Sequence, residues 1–254
     1  MPTLTLHSLD LPEDVRETLE KYLTQLKKDW HADLEVVLLF GSAARGDFIS
    51  GRSNINFLVI MRHLPVDVLQ CAGRLHRQWG KHQIVAPLMM TEEELHRSCH
   101  LFPLEYLQMQ DHHALLIGRD PFATWPIEDR QLGWQCEQEL MANLLRLRQR
   151  FVEGEGRAEA IQALLILSIT AVLPCLRGLL RVLGQTSKGR DVQILERLPQ
   201  ALQFESTVLL EMLYMKRGMN SPGSLEWHKV YERYLQNLEF LCKRVQTVRQ
   251  EGRL

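Results

Sequence analysis

An excess of charge of one sign is the first thing this 254-residue sequence lacks: 30 lysines and arginines stand against 31 aspartates and glutamates, a formal net charge of −1. Such a balance gives no bulk attraction to nucleic acid or to an anionic membrane. Cysteine is sparse, at 71, 99, 136, 175 and 242, and no two cysteines are spaced C-x-x-C. That excludes the common zinc-ribbon and dithiol redox patterns, and with no signal peptide ahead of them the expectation is a reduced, cytoplasmic protein. Internal repeats and low-complexity segments are missing too. So is a long unbroken apolar run. Residues 160–183 are apolar nearly all round, but Ser168, Thr170, Pro174 and Arg177 interrupt them. The uninterrupted length falls well short of the roughly 20 residues a bilayer requires, so a central bundle helix is expected and not a membrane span. His96 and His100 stand four apart, yet H-R-S-C-H lacks the glutamate of a zinc protease and reads as a solvated pair. His112 and His113 precede a strand and point to nothing stronger.

What is present is a change of period partway along the chain. L-E-V-V-L-L-F reads as a strand ending at Phe40, and I-N-F-L-V-I-M as a second strand ending at Met61. Between them lie Gly41 and Ser42, with Ser42 expected as the N-cap of a short helix through Arg45. A leading helix is expected from Pro12 to about Trp30, and another from about Val66 to Trp79. A strand is expected over Gln83 to Met90. Thr91 then opens a helix with Glu92, Glu93 and Glu94 in its first turn, and a helix and edge strand follow over Pro103 to Gly118. Two prolines between Asp120 and Asp129 break both periods. Beyond them Leu140, Leu144, Leu147 and Phe151 fall at helical spacing, and Trp227, Tyr231, Tyr234, Leu238, Leu241, Val245 and Val248 form one seam expected to pack into its own bundle. The organisation expected is α+β: a mixed sheet with flanking helices over 1–122, then an all-α up-and-down bundle over 123–254. Residues 1–130 carry 13 basic against 18 acidic side chains and residues 131–254 carry 17 against 13. The groups Arg146, Arg148, Arg150 and Lys243, Arg244, Arg249, Arg253 read as solvated helix faces, with a phosphate or RNA contact as the alternative.

The stretch F-G-S-A-A-R-G-D-F-I-S-G-R-S-N-I-N-F-L-V-I, residues 40–60, resembles the active-site motif of the DNA polymerase β-like nucleotidyltransferase superfamily, and the order of elements over 34–120 is similar to that family. In the family a strand ends in Gly-Ser, a short helix follows, and the next strand opens Ser-Asp-x-Asp. Here those places read Gly41, Ser42, Ser53, Asn54 and Asn56. The loop between Gly46 and Ser53 is about one residue longer than the commonest form. The resemblance implies that two carboxylates one residue apart, on one side of a strand, hold two Mg²⁺ ions against a triphosphate and align the attacking hydroxyl. Asparagine brings no negative charge to that task. The family's third carboxylate comes from a later strand, and Q-I-V-A-P-L-M-M contains no acid. The resemblance also implies a helical bundle closing over a cleft, as in aminoglycoside-modifying relatives. A ribonuclease partner domain of the kind some relatives carry is excluded, because after residue 130 His228 is the only histidine.

Three readings stand. The first is an inactive nucleotidyltransferase-fold protein that binds a nucleotide or phosphate through Gly41, Ser42, Arg45 and Ser53, with Asn54 and Asn56 in the acid positions and no metal. The second is an active enzyme, transferring NMP from a nucleoside triphosphate to a hydroxyl, that recruits Mg²⁺ through Asp47, Glu92 or Glu93. The third is a scaffold that meets a protein partner, or a second copy of itself, through the helical domain.

Overall fold

The computed structural model describes residues 6–123, 125–219 and 226–250; Arg253, grouped above with the basic tail, lies outside them. The chain divides into two compact units, Met1–Phe102 with Tyr106–Pro126, and Pro103–Glu105 with Ile127–Leu254.

In the first unit, helix α1 (Glu13–Trp30) leads into strand β1 (Leu34–Phe40), the four-residue helix α2 (Ser42–Arg45) and strand β2 (Asn56–Met61). Helix α3 (Val66–Trp79), strand β3 (Leu88–Met90) and helix α4 (Glu92–Ser98) follow, then helix α5 (Pro103–Asp111), whose first three residues fall in the second unit, and strand β4 (His113–Ile117). The sheet runs β3-β2-β1-β4, antiparallel except for the β2/β3 pair. One face buries Val37, Leu39, Phe57, Val59 and Met61 against Leu19, Tyr22 and Leu26 of α1 and Leu75 of α3. Leu38, Leu58 and Ile60 on the other face are buried as well, which explains why β1 and β2 read as continuous apolar runs.

The strand expected over Gln83–Met90 is shorter than its sequence implies. Only Leu88–Met90 pairs as a strand, joined upstream by the isolated bridge Ile55 to Ile84. Gln83 turns into the left-handed region at φ 64, and Pro87 has no N–H to give to a ladder. The cap expected after it is present. Thr91 accepts the N–H of Glu94, and the Glu94 carboxylate accepts the N–H of Thr91 at 2.8 Å, so Glu92, Glu93 and Glu94 occupy a capped first turn.

The second unit is a bundle of α6 (Asp129–Glu153), α7 (Ala158–Val182), α8 (Asp191–Leu202), α9 (Thr207–Lys216) and α10 (Trp227–Gln250). Helix α7 is long and apolar enough to cross a membrane by length and composition, and 67% of its most apolar stretch is buried inside the structure. The seam of α10 is buried with it, from Trp227 to Val248. Two features fix the register of α7. The Ser168 hydroxyl donates to Asn143 Oδ1 of α6 at 2.6 Å and accepts from the Tyr234 hydroxyl of α10 at 3.0 Å. At Gly178 a Cβ would come within 2.4 Å of Cys136 Sγ, so only glycine lets the two backbones approach this closely. The loop before α8 is held by Arg177, which donates to the carbonyls of Ser187 and Gly189 and to Asp191 at 2.6 Å in a buried ion pair.

Candidate functional site

Gly41 ends β1 with φ 81 and ψ −149, a conformation reserved for glycine. Its Cβ would sit 3.0 Å from Asn56 Nδ2, so the missing side chain also makes room for that amide. Ser42 is not the cap the sequence implied. Gly41 takes that place: its carbonyl accepts the N–H groups of Ala44 and Arg45, and no side chain caps the turn. Ser42 is therefore the first helical residue, and its carbonyl receives the N–H of Gly46, which closes the turn in the left-handed region, and of Asp47. The leading N–H groups of so short a turn precede any intrahelical acceptor.

Arg45 and Asp47 come together, with Arg45 Nε 3.6 Å from Asp47 Oδ2. The Asp47 side chain is only 4% exposed. The carboxylate named as a substitute metal ligand is thus buried against a guanidinium, and the same contact occupies Arg45, named as a phosphate contact. Glu92 and Glu93, the other substitutes, lie on α4, where Glu93 pairs with Arg97 and Glu92 faces His96 at 4.0 Å. His100 lies beyond the end of α4, so the two histidines do not share a helical face.

The loop from α2 to β2 is ordered by its own bonds. Ile49 N–H donates to Ser53 Oγ at 2.9 Å, while the N–H groups of Arg52 and Ser53 donate to Ile49 C=O. Ser53, named for nucleotide binding, has its hydroxyl oxygen turned back into this loop. Gln83 grips the loop from outside. Its side chain accepts the N–H of Gly51 at 3.0 Å and donates to Ser53 C=O at 2.5 Å, and its carbonyl accepts the N–H of Ile55 at 2.8 Å. Asn54 and Asn56 follow, one residue apart as β2 opens. Asn54 is exposed and Asn56 half-buried, with the Asn56 amide donating weakly to Asn54 C=O at 3.5 Å.

Phe40 pairs with Asn56 on one side and with His113 on the other. Cross-strand partners share a face, so Asn56 and His113 stand in one row, two strand spacings or about 10 Å apart. His113 Nδ1 lies 2.8 Å from Met109 C=O, and its Nε2 lies 3.2 Å from Asp120 Oδ2. Both ring nitrogens thus face acceptors. Neither Gln83 nor the His113–Asp120 pair was singled out from sequence, because each depends on a partner 30 or 7 positions away that no short motif marks. Around the motif the carboxylates of Asp47 and Asp120 each face a basic side chain, while Asn54 and Asn56 carry uncharged amides. Among the described residues, no three His, Cys, Asp or Glu side chains are grouped to hold a metal. The groups on offer are amides, hydroxyls and backbone N–H, which recognise an anion by donated hydrogen bonds.

No family model matches the chain, and no curated protein matches it. Among solved structures it is similar to spectinomycin adenyltransferase AAD(9) from Enterococcus faecialis, determined with ATP and spectinomycin, at a TM-score of 0.52 and 11% identity over 91% of this chain and 98% of that one. The likeness is one of fold: a nucleotidyltransferase-type mixed sheet with flanking helices, followed by a helical bundle.

Proposed function

We propose that this chain is a nucleotidyltransferase-fold protein that binds a nucleotide or another phosphate-bearing ligand without a metal and transfers no nucleotidyl group. The observation that carries this reading is the pair Asn54 and Asn56 at the opening of β2, beside the glycine turn of Gly41. Two amides have nearly the shape of two carboxylates and none of their charge. Mg²⁺ gives up water reluctantly and is drawn to a site by carboxylates and substrate phosphates, so amides leave it no reason to settle. Without it the charge stabilisation and alignment that drive phosphoryl chemistry are missing. What remains is a set of hydrogen-bond donors at a tight turn, a chemistry of holding. The fold likeness to a protein determined with ATP supports a nucleoside triphosphate as the first ligand to try.

The experiment is a thermal-shift scan of the full chain against ATP, GTP, CTP and UTP, each with and without Mg²⁺ or Mn²⁺. At about 100 times its Kd, a ligand stabilises its unit by roughly 2.7 kcal/mol, a rise of several degrees. The expected result is a shift with at least one nucleotide that metal does not enlarge, and no release of pyrophosphate. A shift that requires metal, or no shift with any nucleotide, overturns the reading. The double variant Asn54→Asp, Asn56→Asp supplies the converse: nucleotide stabilisation of this variant is expected to become metal-dependent.

A further inference from the structure

Helix α6 carries its apolar residues on two sides. The inner side packs Leu132, Cys136, Leu140, Asn143 and Leu147 into the bundle. On the outer side stand Trp134, Met141, Leu145 and Val152, exposed by 50, 45, 56 and 74%. Their spacings of seven, four and seven put all four within about 20° of one line down the helix. The line runs 18 residues, about 27 Å. Scattered surface leucines need no explanation, but a straight file of large apolar side chains on a solvated helix marks a contact surface.

The file has a centre of symmetry. Reversed about residue 143, Trp134 falls on Val152 and Met141 on Leu145, so each apolar position maps onto another. The two polar residues that flank the line by about 40° on either side, Gln138 and Arg148, map onto each other, and Arg148 also pairs with Glu239 of α10 at 2.6 Å. Both are exposed. An arbitrary partner helix would have no reason to favour a palindrome, whereas a two-fold axis demands one, because in an isologous contact residue i meets j and j meets i. From this we infer that a second copy of this chain docks on the outer face of α6, the two helices antiparallel and their axis passing near residue 143. In that register Trp134 meets Val152 of the other copy, Met141 meets Leu145, and Gln138 meets Arg148, apolar with apolar and polar with polar. The alternation of four and three along an a/d seam is the one antiparallel coiled helices use. Arg130, whose guanidinium lies 4.9 Å over the Trp134 ring, extends the contact at its end. The α10 seam is spent inside the bundle and offers no such face. One helix pair is small by the standard of stable interfaces, so association in the micromolar range is expected. It is independent of whether a nucleotide binds.

Sedimentation equilibrium of the full chain across the micromolar range tests this directly. The expected result is reversible association to twice the monomer mass, abolished by Met141→Glu, Leu145→Glu and untouched by Leu167→Glu, a change at an exposed leucine of α7. A monomer at every concentration, or a dimer that survives the double glutamate variant, refutes the surface. Register is read separately by oxidation: the variant Trp134→Cys, Val152→Cys is expected to give disulfide-linked dimers and Gln138→Cys, Val152→Cys to give none. The reverse pattern, or linkage in both, overturns the antiparallel pairing.

Discussion

Gln83 holds a left-handed backbone that costs a non-glycine residue about 1–2 kcal/mol, and it stays there because its carbonyl and both ends of its amide are bonded to the loop before β2. Each such bond contributes about 1 kcal/mol net, so the bonds outweigh the strain. Two substitutions separate these contributions. Gln83→Ala keeps the strain and loses the side-chain bonds, whereas Gln83→Gly loses the bonds and relieves the strain. The alanine variant is expected to be less stable by about 1–2 kcal/mol and the glycine variant by less. Trypsin cleavage after the exposed Arg52 is expected to quicken in both. Unchanged cleavage and unchanged melting of Gln83→Ala would show that the loop holds itself. At this scale the sequence revealed the glycine turn after β1, since it rests on local spacing. It did not reveal the partners of Arg45 or Ser53, which face Asp47 and the Ile49 N–H because the loop folds back on itself.

The helices were legible as elements, because α7 and α10 carry long periodic apolar faces, and the break of β3 was not, because Gln83 leaves the strand for the sake of distant bonds. In the sequence the polar residues inside α7 only interrupt an apolar run. Ser168 proves to be the middle of a buried chain from Tyr234 to Asn143. The chain is directional. Tyr234→Phe removes the outer donor and leaves the Ser168–Asn143 bond intact, a cost of about 1 kcal/mol. Ser168→Ala orphans a buried Asn143 oxygen and a buried Tyr234 hydroxyl together, and is expected to cost about 2–4 kcal/mol. Chemical denaturation of both variants checks the order. Equal losses would mean that water replaces the serine.

For the molecule as a whole, the response to high pH rests on buried thiols and phenols. Burial pushes the thiol of Cys136 well up and that of Cys175 up to about 12, and raises the phenols of Tyr22 and Tyr234 as well. A group whose folded value is raised stabilises the fold fully below its unfolded value and loses that contribution as pH climbs toward the folded one. Stability is therefore expected to hold up to about pH 9, the ordinary thiol value, and then to fall toward pH 12 by roughly 1 kcal/mol per pH unit for each group that must ionise. Urea midpoints from pH 7 to 11 measure this. A midpoint flat throughout would mean that these groups reach water in the native state.

The contact between Gly178 and Cys136 has a consequence for oxidants. Cys136 is fully buried and its sulfur is pressed against the backbone at Gly178, so the oxygen of a sulfenic acid finds no open space on that side and no oxidant reaches the sulfur through the packed bundle. Peroxide can thus modify Cys136 only in molecules whose α6 and α7 have already parted, and the extent of its oxidation in an aged sample becomes a tally of how often that bundle has opened.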